Sequence, residues 1–334
     1  MRLLVLGGTV FLGHEVAAEA VRRGHDVVCA ARGTSGSVPD GATLVRVNRD
    51  TDSGLAPLAV ERFDAVVDMA PISYPWVRRA LQALAGSAGH WTFVSTINVY
   101  ADTATVGQRA DAALVDPVPE QSSRELRDGD LEGSQRYGAI KVAGENAVRE
   151  TMGERAFVVR PGLIVGPGDP YDPFGYWPAR FARGGRVLVP DVPKQPVQYI
   201  DVRDLAGWIV DAGERGLAGD YDGVGPAQLL PDLLAEIAAA VGAPVELVPA
   251  SSERLTEAGV NQWSGRRSLP LWLGPSHHGL GGRDAQPSLD AGLRIRPLAD
   301  TVASVLAWER ERGLDRPRNA GLTLAEEAEL LQGI

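Results

Sequence analysis

Tyr137 and Lys141 stand four residues apart in Tyr137-Gly138-Ala139-Ile140-Lys141, so on a helix they share one face. An ammonium beside a phenol favours the phenolate and draws its pKa from about 10 toward the range of a general acid or base. The strand-like run Trp91-Thr92-Phe93-Val94-Ser95 ends in hydroxyls at Ser95 and Thr96, which adds a third polar group. Near the N-terminus the apolar residues Leu3 to Leu6 run into Gly7-Gly8-Thr9-Val10-Phe11-Leu12-Gly13. Glycines at 7 and 13 bracket a tight strand-to-helix turn, where unpaired N–H groups and the positive helix end accept a pyrophosphate. Gly7, Thr9, Val10, Phe11, Leu12 and Gly13 are therefore the expected cofactor turn. Alone, a Tyr-Lys pair is usually a solvated helix face, and a glycine pair is weak evidence, with an ordinary glycine-rich turn as its alternative. Together with the strand-end hydroxyls they point to proton transfer beside a bound dinucleotide.

A second strand that grips the ribose 2′-hydroxyl of NAD ends on a carboxylate. Here Asp26 to Ala30 is followed by Ala31 and Arg32, so the acid is missing and a guanidinium stands next to its place. A guanidinium suits a 2′-phosphate by charge and by bidentate geometry. NADP(H) is favoured and NAD(H) is possible. The alternative is that Arg32 merely ends the strand in solvent.

The elements that must position these groups alternate from residue 1 to about 160. Leu3–Leu6, Asp26–Ala30, Thr43–Val47, Ala65–Met69, Trp91–Ser95 and Ala156–Val159 are apolar enough for strands buried on both faces. Leu12–Arg23, Tyr74–Ala85 and Tyr137–Glu150 read as helices between them. That alternation predicts an α/β chain with a Rossmann-type doubly wound parallel sheet. The expected division is a dinucleotide-binding region over 1–165, with continuing elements near 195–215, and a smaller C-terminal, mainly substrate-binding region over 166–334. Helices are expected at Val202–Ala212, Leu229–Val241 and Leu298–Arg312, with loops around Gly265–Gly282.

Composition narrows the function classes. The 334 residues carry 33 Lys and Arg against 43 Asp and Glu, a net charge of −10, with no segregated basic run, so no nucleic-acid partner is expected. A hydrophobic fraction of 44% without any run of about 20 apolar residues predicts a soluble chain and no membrane partner. The first apolar stretch stops after four residues and lacks a cleavage site, so it does not read as a secretory leader. The single cysteine, Cys29, permits neither an intrachain disulfide nor a thiolate cage, and a cytoplasmic location follows as the expectation. His277-His278 has no Cys, Asp or Glu at ligand spacing, so no metal is expected.

These residues resemble the short-chain dehydrogenase/reductases, and among them the extended, atypical branch of the NAD-dependent epimerase/dehydratase family. The resemblance covers most of the chain. Gly7 to Gly13 looks like the family's nucleotide turn, Ser95 to Tyr100 like its Ser-Ser/Thr-x-x-Val-Tyr strand end, and Tyr137 to Lys141 like its Tyr-x-x-x-Lys. Arg160-Pro161 through Val165-Gly166-Pro167 and Tyr199 to Leu205 match later segments. Counting back four from Tyr100 places Thr96 at the family's catalytic hydroxyl, so the resemblance implies a Thr96, Tyr137, Lys141 triad. It also implies cofactor contacts at Met69, Ala70 and Pro71 and at Pro161, Gly162 and Leu163.

There are three departures. Val10 stands where the middle glycine is usual, as in a subgroup reading Gly-Gly-Thr-x-Phe-Leu/Ile-Gly that includes chloroplast RNA-associated members and many bacterial proteins of unassigned substrate. Met69-Ala70-Pro71 replaces the common Ala-Gly. The separation of Thr96 from Tyr137 exceeds the family's usual distance, and the extra stretch, Asp102 to Gln135, reads as a solvated loop, with a lid as the alternative.

The function expected is an NADP(H)-dependent oxidoreductase interconverting a carbonyl and a secondary alcohol. A nucleotide-sugar epimerase using transient oxidation is the runner-up. A non-catalytic dinucleotide sensor or RNA-associated protein is the rival from another class. Thr96-Ile97-Asn98 lacks the Asp-Glu pair of sugar dehydratases, which ranks that activity last. Ligands of open α/β sheets sit beyond the carboxyl ends of the strands, so Asn98, Tyr171, Tyr176, Trp177, Arg180, Gln198 and Tyr199 are the expected walls for a small-molecule substrate. A homodimer is possible.

Overall fold

The computed structural model describes residues 1–70, 73–118, 131–171 and 173–332, with the backbone alone described at 131–134. The apolar runs become strands β1 (Arg2–Leu6), β2 (Asp26–Ala31), β3 (Thr43–Arg46), β4 (Phe63–Asp68), β5 (Ala88–Val94) and β6 (Ala156–Pro161). A further strand, β7 (Gly219–Gly223), was not expected, because Gly-Asp-Tyr-Asp-Gly has no apolar run. It forms at an edge, where its two carboxylates find arginine partners: Asp220 meets Arg149, and Asp222 meets Arg283. All seven strands are parallel, in the order β7-β6-β5-β4-β1-β2-β3.

Two helices cover each face. On one, α1 (Phe11–Arg22) and α4 (Val202–Arg215) bury Val16, Ala20, Leu205 and Ile209 against Leu3, Val5 and Val67. On the other, α2 (Tyr74–Leu84) and α3 (Leu131–Met152) bury Val77, Leu81, Val148 and Met152 against Leu4, Leu6 and Val66. Leu3 and Val5 point one way and Leu4 and Leu6 the other, the period of two that lets one apolar run serve both layers. Helix α3 begins at Leu131 rather than at Tyr137, which puts Tyr137 in its second turn.

The pairing register lines up the carboxyl ends that matter. Leu6 is level with Ala30 on one side and Asp68 on the other, and the chain leaves β1 at the point where strand order reverses. Residues beyond the sheet build a second core from Phe174, Trp177, Leu188, Leu233 and Val302. It holds the parallel pair Gly185–Pro190 and Val245–Ala250 and the helices Leu230–Val241 and Leu298–Arg312. Among the described residues no helix is long and apolar enough to cross a membrane, and no cluster of three or more potential metal ligands occurs.

The stretch expected as a solvated loop is, through residue 118, a largely exposed irregular loop, tied to the C-terminal region around residues 282–284. Gly107 N–H donates to the Gly282 carbonyl at 2.6 Å, Asp284 N–H donates to the Gln108 carbonyl at 3.0 Å, and Arg109 pairs with Asp284 at 2.7 Å. Residues 119–130 lie outside those described.

Candidate active site

The turn after β1 is built around two glycines. Gly7 has φ +108°, a conformation that disfavours any side chain, and its N–H donates to the Ala30 carbonyl at 3.0 Å. A Cβ on Gly13 would stand 2.2 Å from the Gly7 carbonyl oxygen, so helix α1 can approach the turn only with glycine there. No side chain caps α1, and its first turn contains no acid. Free N–H groups on a positive helix end are what a pyrophosphate requires. Gly7, Thr9, Val10, Phe11, Leu12 and Gly13 all line one cleft of about 450 Å³, so the residues present fit a dinucleotide.

Beyond β2 the cleft is lined by Arg32, Gly33, Thr34 and Ser35. Thr34 and Ser35 were not anticipated, although a short run of small hydroxyl residues after a strand-end arginine is a readable signal for a phosphate. Outside the lining, the exposed Arg46 stands beside Gly33, with its Nε 3.1 Å from where a Gly33 Cβ would be. The wall continues through Val47, Arg49 and Trp76, which only the tertiary structure brings here.

Thr96, Tyr137 and Lys141 come together on the same cleft. Thr96 leaves β5 in extended backbone, and its hydroxyl accepts from Asn98 N–H at 3.2 Å and hydrogen-bonds the Tyr137 side chain. Gly138 allows this approach, since a Cβ there would stand 2.0 Å from the Asn98 carbonyl oxygen. Lys141 is buried, and its Nζ donates to the Ala70 carbonyl at 2.7 Å and the Val94 carbonyl at 2.6 Å. Burial is the largest influence on it and brings its pKa down to about 7, against the raising pull of Asp68 and Glu145.

Burial pushes the Tyr137 pKa well up, and Tyr171 adds to the rise, with Thr96 pulling the other way. The expected depression of Tyr137 by Lys141 is therefore not what this arrangement does. Lys141 Nζ is 5.8 Å from the Tyr137 ring centroid, committed to two carbonyls, and its own charge is disfavoured.

Met69, Pro161 and Gly162 line the cleft, as does the unanticipated Ile164. Leu163 does not, because the alternation of the Leu163–Val165 strand turns it to the C-terminal core. Ala70 is buried behind the wall, where it meets Lys141. Pro71 lies outside the described residues. Among the expected substrate walls, Tyr171 is 59% exposed and close enough to act on Tyr137. Asn98 is half-buried in the short turn Ile97–Val99 beyond β5, outside the lining of the cleft.

Three walls are corrected. Tyr176 and Trp177 are packed inside the C-terminal core, and Arg180 is buried there with its Nε 2.5 Å from Glu327 and its other nitrogens on the Gly184 and Arg186 carbonyls. An aromatic-rich helix after a glycine loop reads equally as wall or core, and here the core took it. Gln198 is likewise committed, bridging the Gly225 and Arg283 carbonyls, and Tyr199 leans on Phe174.

Comparison with known proteins agrees with this geometry. The chain is 20% identical to RMD from Pseudomonas aeruginosa, solved with NADPH, over 92% of this chain and 100% of that one, with a TM-score of 0.58. It is 18% identical to the enzyme WbmH from Bordetella bronchiseptica, solved with NAD+, over 93% and 99%, with a TM-score of 0.60. Both show the shared fold. A stretch of 71 residues is 41% identical to the photosystem II assembly factor Ycf39 of Synechocystis sp., and it spans only 20% of this chain and 22% of that relative's length. The model of the NAD dependent epimerase/dehydratase family matches residues 3–222, which contain the whole dinucleotide cleft and all three catalytic candidates. The chain thus belongs to the NAD dependent epimerase/dehydratase family.

Proposed function

We propose that the protein is an NADP(H)-dependent oxidoreductase interconverting a carbonyl and a secondary alcohol. The carrying observation is the convergence of Thr96, Tyr137 and Lys141 on the cleft whose other walls are the Gly7–Gly13 turn and Arg32. The turn would hold the pyrophosphate, while Arg32, Thr34 and Ser35 would hold the adenosine ribose and its 2′-phosphate. Bound there, the dinucleotide supplies or accepts the hydride. Tyr137, kept protonated by its burial, donates its hydroxyl proton to the oxygen of a carbonyl under reduction and recovers it in the reverse direction. Thr96 orients both the Tyr137 hydroxyl and the substrate oxygen. Lys141 holds the nicotinamide ribose and carries a proton that is easily exchanged near neutral pH.

Two charge arrangements support the finer choices. No carboxylate lines the cleft at the end of β2, and two guanidiniums gather near it, which favours NADP(H) over NAD(H). At the catalytic end the lining cations are already committed, Lys141 to the Ala70 and Val94 carbonyls and Arg49 to Asp68, and Arg180 is held by Glu327 elsewhere. A nucleotide sugar carries a diphosphate that wants guanidinium partners, so an uncharged carbonyl substrate suits this end better than the epimerase reading does. We place the enzyme in the cytoplasm.

The test titrates NADPH and NADH by fluorescence, then follows loss of nicotinamide absorbance with small ketones and aldehydes. Conversion of a nucleotide sugar to its epimer, without net change in dinucleotide, would replace the oxidoreductase with the epimerase.

A further inference from the structure

Arg49 has no part in the chemistry described, yet it is buried in the cleft wall. Its Nη1 and Nη2 donate to the two Asp68 oxygens at 2.8 and 2.9 Å, and Nη2 also donates to the Trp76 carbonyl at 2.8 Å. Asp68, wholly buried at the end of β4, uses Oδ1 again to accept from Ala70 N–H at 2.9 Å. The carbonyl of that same Ala70 receives Lys141 Nζ at 2.7 Å. An unbroken line therefore runs from Trp76 through Arg49, Asp68 and Ala70 to the lysine.

The charges follow the same line. Lys141 faces Asp68 from β4 and Glu145 from its own helix, both favouring its ammonium, while Arg49, from beyond β3, opposes them. Glu145 is already clamped by Arg160 of β6 and by Arg149, and it accepts from Ser95. Tyr137, one turn before Lys141, presents its ring. Asp68 has Arg49 as its bidentate partner, so removal of that guanidinium exposes Lys141 to an unbalanced carboxylate in a site with little water to screen it.

We propose that Arg49 is a positioning residue for Lys141, holding Asp68 and through it the Ala70 peptide that docks the lysine, and screening the lysine from the Asp68 charge. Its weight in function rests on the reading of Lys141 as the holder of the dinucleotide. The arrangement itself can be tested with no dinucleotide present.

The chain has only two lysines, Lys141 and the exposed Lys194. Protein labelled with 13C-lysine gives two Cε signals, and Lys194→Arg identifies the surface one. The wild-type Lys141 signal titrates near neutral pH. In Arg49→Met its midpoint rises by about one pH unit or more, and in Arg49→Met/Asp68→Asn it returns to the wild-type value or below. An unchanged midpoint in the single variant overturns the proposal. So does a double variant that stays as high as the single one, since water entry and not the Asp68 charge would then be the cause. Should Arg49→Met fail to fold, Asp68→Asn alone must lower the midpoint, and no change there is equally fatal. A separate NADPH titration of the wild type judges the dinucleotide reading, so the two can fail independently.

Discussion

Lys141 Nζ lies 2.6 Å from the carbonyl oxygen of Val94, the last residue of the strand that leads through Ser95 into Thr96. A buried lysine on helix α3 is thereby pinned to the strand end that carries the candidate hydroxyl, and its burial, working against those carbonyl partners, leaves a nitrogen that resists protonation.

Stability should report this. The Lys141 pKa is lowered to about 7 by burial, whereas the unfolded side chain keeps about 10.4. Between those values the unfolded chain binds a proton that the folded one does not, so this group's contribution becomes more favourable to folding as pH rises from 7. Urea denaturation of wild type and Lys141→Met from pH 7 to 9 should show the difference moving in favour of wild type by up to about 1.4 kcal/mol per pH unit. A flat difference would mean that the lysine is charged when folded.

Tyr137→Phe removes the proposed proton donor but keeps the ring. Fold and dinucleotide affinity should survive, while turnover on the true substrate falls by about 10²- to 10⁴-fold. Lys141→Met should injure turnover and dinucleotide binding together. Steady-state kinetics beside fluorescence titration separates the two, and unchanged turnover in Tyr137→Phe would remove the proton-transfer role.

Arg32→Ala tests cofactor choice. Wild type should bind NADPH more tightly than NADH, and the variant should narrow that gap by about 1 to 3 kcal/mol, the range of a hydrogen bond to a charged group. Equal wild-type affinities would remove the preference, and with it the role of the Arg32-Gly33-Thr34-Ser35 turn.

Arg180→Met breaks a buried pair, since both Arg180 and Glu327 are buried in the C-terminal core. An uncompensated carboxylate should cost about 3 to 5 kcal/mol of stability, read as a lowered urea midpoint, with the dinucleotide affinity of the folded protein unchanged. A variant of normal stability with weakened substrate binding would return Arg180 to the pocket.

Much of the site is written locally in the chain. Gly7 to Gly13 needs only the order strand, glycine turn, helix, and Tyr137 with Lys141 needs only the pitch of a helix, so both follow from sequence periods. The apolar runs of β1 to β6 are legible for a similar reason, because a strand buried on both faces must be apolar throughout. Other features depend on partners distant in sequence. Strand β7 is polar, and its two carboxylates are balanced by Arg149 and Arg283, which arrive from distant segments. Tyr176, Trp177 and Arg180 carry residue types that serve a pocket or a core equally well, and the choice was made by Glu327, 147 residues further on. Arg49 reaches the cleft wall through Asp68, 19 residues away on the next strand. Residue type and short spacing determine which chemistry the chain can perform, whereas the destination of a buried charge depends on which opposite charge the fold places beside it, since an unpaired one is too costly to bury.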